Sequence, residues 1–187
     1  DVSAAAVDGT HGVRWLSRGS ARTMDQLDPL IAKARSGDEG AFRELFFQHR
    51  GNVTRLVFRI LGPSPDVDDV VQDVFLNVYR SLASFRGDSK FSTWLFRLTV
   101  NIARMHLRKG RSRPQLADVA VPEAPRDSRV PDRPDVAAER AERVTRLYAL
   151  LEELSEKKRT VLVLHDLEGM SAQEIADVVG SPVLTVR

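Results

Sequence analysis

The sequence predicts an all-α protein: two small helical domains joined by a Pro-rich linker, the second domain a helix-turn-helix. Three observations predict it. From Met24 onward, apolar residues recur at steps of three and four, the period of a helix with one buried stripe. That period stops in residues 111–135, which hold five prolines and many charges. Beyond it stand a Ser-x-x-Glu capping signal, a Gly stop and a Ser-Pro restart, the punctuation of two short helices around a tight turn.

A chain of 187 residues with 42% apolar content can build one medium or two small cores. Its formal net charge is only +2, so any basic character is local and its position is what informs. Cysteine is absent, which excludes disulfides and thiolate metal sites. No apolar run reaches the roughly 20 residues that span a bilayer, and the first residues lack a secretory signal. A cytoplasmic protein without membrane insertion is expected. The four histidines, His11, His49, His106 and His165, lack metal-ligand spacing. No phosphate-binding Gly loop, nucleophile elbow or zinc-protease motif is present. The expectation is a binding protein, not an enzyme, with no catalytic residue, cofactor or metal. His106 is read as a surface histidine.

Residues 1–23 carry no periodicity and read as a disordered tail; a short regulatory arm is the alternative. The first domain spans 24–110. Leu27, Leu30, Ile31 and Ala34 make a short helix that Gly37 stops. Asp38 caps a long second helix carrying Phe42, Leu45, Phe46, Val53, Leu56, Val57 and Ile60, which ends at Gly62-Pro63. The third carries Val67, Val70, Val71, Val74, Phe75, Val78 and Leu82. Its other face begins with Asp66, Asp68, Asp69 and Asp73, acids that also suit the positive end of the helix dipole. A loop from Phe85 to Ser89 follows, with Asp88 or Ser89 as cap of the fourth helix, 91–110.

That fourth helix organises the chain. Phe91, Leu95, Leu98, Ile102 and Met105 form its apolar stripe. Arg97, Asn101, Arg104 and Arg108 form another. From Arg80 to Arg113 there are nine Lys or Arg and one acid, Asp88. A helix packed on one side and cationic on the other suits a polyanion, so this is read as a nucleic-acid surface. Trp94 offers a stacking surface for a base, but its place beside Phe91, Leu95 and Leu98 favours the core.

The linker, 111–135, is read as a partly extended tether. The second domain, 136–187, starts with a helix whose stripe is Val144, Leu147, Leu151 and Leu154. Ser155 caps the next, with Val161, Leu162, Leu164 and Leu167 apolar, and Gly169 ends it. Ser171 and Glu174 form a capping box ahead of Ile175, Ala176 and Val179. Gly180 and Ser181-Pro182 lead into Val183, Leu184 and Val186. The helix that would enter a major groove is cut off after about one turn, so this domain is read as C-terminally incomplete.

Three stretches together resemble the extracytoplasmic-function (ECF) RNA polymerase sigma factors of the sigma-70 family. They are DVDDVVQDVFLNVYRSLASFRG at 66–87, residues 91–113 with Thr93-Trp94-Leu95 and Asn101, and TVLVLHDLEGMSAQEIADVVGSPVLTVR at 160–187. Any one is suggestive; all three in this order, around a Pro-rich linker, are specific. The resemblance implies a sigma factor that binds core RNA polymerase and directs promoter recognition and −10 melting, with sigma region 2 at 24–110 and region 4 at 136–187. It implies that Asp69, Gln72, Asp73 and Asn77 meet the clamp helices of the polymerase largest subunit. It implies that Arg86, Asp88, Ser89, Lys90, Arg97, Asn101, Arg104, Arg108, Lys109 and Arg111 hold −10 DNA, with Arg113 a further phosphate candidate. The 85–90 loop would form part of a flipped-base pocket, and Asn101 would read a base edge. It implies that Ser181, Thr185 and Arg187 approach the −35 duplex. The linker acids Asp118, Glu123, Asp127, Asp132 and Asp135 would mimic a nucleic-acid path near the polymerase cleft. An anti-sigma protein is the implied regulatory partner. Two alternatives remain beside this reading: a stand-alone helix-turn-helix regulator, and a polymerase-binding adaptor without DNA function.

Overall fold

The computed structural model describes residues 28–110 and 134–186, side chains of 134–141 excepted. The expected tail, most of the expected linker with Asp118, Glu123, Asp127 and Asp132, and the site candidates Arg111, Arg113 and Arg187 lie outside the described residues. Among the described residues the fold is all-α, as expected: eight α-helices, a 3-10 turn and a π turn, with no strand.

The first group of helices starts where capping chemistry allows. Helix α1, Pro29–Arg35, opens on Asp28, whose carboxylate accepts the Leu30 amide at 3.0 Å. Helix α2, Glu39–Leu61, opens on the expected Asp38, which accepts the Ala41 amide at 3.0 Å. Helix α3, Val67–Ser81, runs into a 3-10 turn at Leu82–Ser84. Helix α4, Phe91–Gly110, has the expected bounds. Its first bonds run from the Thr93 and Trp94 amides to the Lys90 carbonyl. That is one or two residues later than an Asp88 or Ser89 cap would place them.

Helix α2 lies against α1, α3 and α4, and α3 also packs on α4. Val53, Leu56, Val57 and Ile60 of α2 and Val70, Val74 and Val78 of α3 are buried in one apolar core. The buried side of α4 is wider than the expected stripe. Phe96, Thr99, Val100 and Ala103 join Phe91, Leu95 and Ile102, while Leu98 is half-buried. A helix walled in by two neighbours needs an apolar arc, not a line. The one hydroxyl in that arc is satisfied locally: Thr99 Oγ1 donates to the Leu95 carbonyl at 2.8 Å. Trp94 sits half-buried, its ring 5.2 Å from Phe85 and 5.6 Å from Phe91, so the core reading of it holds.

The second group begins two residues earlier than expected. Helix α5 is Pro134–Glu152, with Pro at a position where its missing N–H costs nothing, and it takes in Asp135. Among its described side chains Tyr148 and Leu151 are buried, and Leu147, expected in the stripe, is exposed. Ser155 caps helix α6, Glu156–Leu162, as expected. A π turn at Val163–Leu167 then continues it, closed by the Glu168 amide on the Val163 carbonyl at 3.3 Å. The wider turn rotates the helix's phase. Of the apolar residues here, Val163 and Leu164 are buried, while Leu162 and Leu167 face out. Helix α7, Ala172–Val179, carries the expected capping box: the Glu174 amide donates to Ser171 Oγ at 3.3 Å, and the Ser171 amide to Glu174 Oε2 at 2.9 Å. Gly180, at φ 64°, makes the left-handed turn into helix α8, Val183–Val186.

The two groups are not held apart. Helices α6 and α7 pack on α4, the π turn packs on α2, and the apolar interior is continuous between them.

Candidate nucleic-acid interface

The acidic face is built by α3. Asp69 and Gln72 are exposed on it, as are Asp68, Leu76 and Tyr79. Asp73 lies at its edge, where its Oδ2 is 3.0 Å from His106 Nε2 of α4. His106 is therefore tied to α3, not a free surface histidine. Asn77 is half-buried and donates to the Asp73 carbonyl at 2.8 Å, so its amide is turned along its own helix. Of the four polymerase candidates, Asp69 and Gln72 are fully presented, Asp73 is half-presented, and Asn77 supports the face.

Beside them runs a feature the sequence reading missed. An open groove of about 400 Å3 lies between α2 and α3, lined by Phe42, Phe46, Val71, Phe75, Leu76 and Tyr79, with Asp68, Gln72 and Arg50 on its rim. The signal lay in Leu76 and Tyr79, apolar and aromatic residues on an otherwise polar face of α3.

The cationic stripe is built by α4 and the loop before it. Arg97, Asn101, Arg108 and Lys109 are exposed on the helix, and Arg86, Asp88 and Lys90 in the loop; Ser89 is half-buried. Phe85 anchors that loop from below, its ring against Phe91 and Trp94. His49 packs on Phe91 with ring centroids 5.2 Å apart, and burial holds its imidazole below the ordinary value. Arg104 differs from the other stripe cations. Its Nε donates to Glu156 Oε2 at 3.0 Å and its Nη1 to the Val179 carbonyl at 3.2 Å.

The third group of candidates stands at the turn between α7 and α8. Ser181 is half-buried and Thr185 exposed. The Thr185 amide donates to the Pro182 carbonyl at 2.9 Å, which starts the helix.

Further ties join the two helical groups. Tyr148 donates its hydroxyl to the Arg59 carbonyl at 3.1 Å, and Arg159 Nη2 donates to the Leu61 carbonyl at 2.6 Å. Arg59 pairs with Glu168 at 2.6 Å, in a place where the glutamate is almost fully covered. Burial pushes the Glu168 carboxyl above its ordinary value of 4.5, outweighing the hydrogen bond and charge of Arg59 and the charge of Arg55. The folded chain thus holds this proton more tightly than the unfolded chain. The resulting stability is fully present below the ordinary value and is lost as pH rises through the raised one. Glu168→Gln is therefore expected to flatten the loss of stability as pH rises above the ordinary carboxyl range, read in denaturant titrations. An unchanged slope would assign that pH dependence to other groups.

Among the described residues no cluster of histidine and carboxylate side chains is able to hold a metal ion, and no helix is long and apolar enough to cross a membrane. The candidate faces are surfaces of opposite sign on adjoining helices.

Two family models match the chain: Sigma-70 region 2 over residues 45–113, and Sigma-70, region 4, over residues 145–187. The chain is 35% identical over 173 residues to the RNA polymerase sigma-H factor of Pseudomonas aeruginosa, covering 88% of this chain and 88% of that protein. It is 38% identical over 176 residues to the ECF RNA polymerase sigma-E factor of Escherichia coli K12, covering 90% of this chain and 89% of that one. Among solved structures, that of CnrH in complex with the cytosolic domain of CnrY is similar at a TM-score of 0.54 and 32% identity, covering 84% of each chain.

Proposed function

The chain belongs to the ECF sigma factors of the sigma-70 family, non-enzymatic promoter-recognition factors of transcription initiation, and from that premise we propose how its surfaces divide the work. The acidic face of α3 docks on core RNA polymerase. The cationic stripe of α4 takes the melted −10 strand, and the turn between α7 and α8 takes the −35 duplex. Catalysis of RNA synthesis stays with the core enzyme, in the cytoplasm.

One observation carries the proposal: a polar and acidic helix face and a cationic one stand on α3 and α4, packed side by side in one bundle. Carboxylates at Asp69 and Asp73 suit arginines on a protein partner, where bidentate bonds fix orientation. The exposed cations Arg97, Arg108 and Lys109, with Arg86 and Lys90 in the loop, suit phosphates. Arg111 continues that series outside the described residues. A single strand needs such cations together with groups that bond base edges. Asn101, exposed in the midst of them, offers both a donor and an acceptor. The loop with Asp88 and Ser89 borders the helix start, where an unstacked base would be received. At −35, Ser181 and Thr185 contact backbone or bases, with Arg187 beyond them. CnrH, a structural relative, is found with the cytosolic domain of CnrY. A protein partner of the anti-sigma kind is proposed here too.

The test is the response of α4 to single-stranded −10 DNA. Asn101→Ala is expected to weaken binding to the −10 strand by about 10-fold (~1–3 kcal/mol), and to a scrambled strand hardly at all. Arg97→Ala is expected to weaken both alike and to lower the salt slope by about 0.7. Equal losses on the two strands for Asn101→Ala would remove the base-reading role. A chain that binds core polymerase but no strand would point to the adaptor reading.

A further inference from the structure

We propose that His106 is a positioning residue for polymerase docking: its imidazole aims the Asp73 carboxylate of α3, and its protonation weakens the hold of that carboxylate on a cationic partner. The inference deepens the reading of α3 as the docking face and rests on it.

His106 belongs to α4 but not to its cationic stripe. It follows Asn101 by five residues, about 140° round the helix, on the side that meets α3. Its Nε2 is 3.0 Å from Asp73 Oδ2. An ionised carboxylate only accepts, so Nε2 carries a hydrogen and donates. The bond survives both charge states of the ring, because the imidazolium also carries a hydrogen on Nε2. The imidazole is 23% exposed and the Asp73 side chain 48%, so a largely covered ring stands behind an open carboxylate. The bond takes Oδ2, and Oδ1 is the oxygen left to meet the cation of a partner. Asn77, one turn further along α3, donates to the Asp73 carbonyl and not to its carboxylate. Among the described residues the ring is therefore what orders this carboxylate. A docking group ordered before the encounter loses less freedom when it binds.

The ring also sets the charge of this face. Imidazole is the side chain that changes charge between about pH 5 and pH 8. Asp69 stands one turn before Asp73 on α3, and Lys109 stands one turn after His106 on α4. The other charged groups of the helices packed here are engaged elsewhere. On α2, Arg55 turns to Asn52 and Arg59 to Glu168. On α6, Glu156 turns to Arg104 and Arg159 to the Leu61 carbonyl, with Lys157 and Lys158 exposed. On α7, Glu174 accepts from Ser171 and Asp177 from Gln173. The pair of His106 and Asp73 thus stands by itself. An arginine or lysine docked on Asp73 has only the carboxylate between it and the ring. Imidazolium repels it and neutral imidazole does not. The docked complex therefore holds fewer protons on His106 than the free chain does, and by linkage the affinity falls as pH falls.

Fluorescence anisotropy of the labelled whole chain with purified bacterial core RNA polymerase, at about pH 8 and about pH 5.5, tests this. His106→Gln keeps a donor for Asp73 and never gains a charge. It is expected to match the unaltered chain within about 2-fold at the higher pH. At the lower pH the unaltered chain is expected to lose about 5-fold more affinity than His106→Gln does, the size of one like-charge contact at a partly wet surface. His106→Ala removes the donor and is expected to bind about 3- to 10-fold more weakly at the higher pH, the cost of ordering one freed side chain. In an Asp73→Asn background the same change is expected to cost nothing further at that pH, because the ring acts through the carboxylate. Equal pH losses in the unaltered chain and His106→Gln, or full affinity of His106→Ala at the higher pH, would overturn the inference, while weak binding by Asp69→Arg would keep the docking face in place. Full-strength binding by folded Asp69→Arg and by Asp73→Asn would overturn the docking reading, and this inference with it.

Discussion

Asp69→Arg combined with Asp73→Arg is expected to lower affinity for bacterial core RNA polymerase by about 1,000-fold or more. The size follows from two terms. Removing one member of a buried, hydrogen-bonded charge pair at an interface costs about 2–5 kcal/mol, and placing like charges opposite each other costs several more. Asp69 is exposed and pairs with no side chain among the described residues, so its reversal should act on binding alone. Asp73 is different, because its carboxylate also faces His106 at 3.0 Å. A guanidinium there would meet the imidazole of α4. Asp69→Arg alone is therefore the cleaner arm, expected to account for at least half of the loss in free energy. Fluorescence anisotropy of the labelled chain with purified core enzyme measures both. Full-strength binding by the folded double variant would place the polymerase contact elsewhere, with the aromatic groove between α2 and α3 the next surface to change.

What the sequence revealed, and what it hid, follows the range of the interactions involved. The caps at Asp38, Ser155 and Ser171 were legible because each is a bond between residues three apart. So was the start of α4, set by the loop before it. Phase was harder to read. The buried Tyr148 stands one residue from the expected Leu147, and the π turn at Val163–Leu167 leaves no mark in the periodicity. The covering of Arg104 was not legible at all. Its partner Glu156 lies 52 residues away, and Glu168 lies 109 from Arg59. Glu156 reads locally as an ordinary first-turn acid of α6, which it also is. A side chain that serves both its own helix dipole and a distant arginine shows only the first role in sequence. The same holds for Gly62, which the sequence marks only as a helix stop.

Gly62→Ala is expected to destabilise the chain by about 2–4 kcal/mol and to force the two helical groups apart. Two independent terms act at this position. Its backbone sits at φ 81° and ψ −165°, a region that is essentially reserved for glycine and costs other residues about 1–3 kcal/mol. In addition, a Cβ there would lie 2.5 Å from Cδ1 and 2.8 Å from Cγ of Tyr148. The ring cannot simply step aside, because its hydroxyl is tied to the carbonyls of Phe58 and Arg59, and Arg159 covers its face. The two terms separate in a double-mutant cycle. In the unaltered background Gly62→Ala meets strain and clash together. In a Tyr148→Ala background only the strain remains, so the added loss should fall to about 1–3 kcal/mol. Denaturant unfolding gives both numbers, and the distance between spin labels on cysteines introduced at exposed Arg43 of α2 and Leu184 of α8 reports whether the groups part. Equal losses in the two backgrounds would mean that the ring yields freely and that the closed arrangement does not depend on this contact. A coupling of 1 kcal/mol or more, with a lengthened distance in Gly62→Ala, would identify the glycine as the seat into which the second helical group is locked.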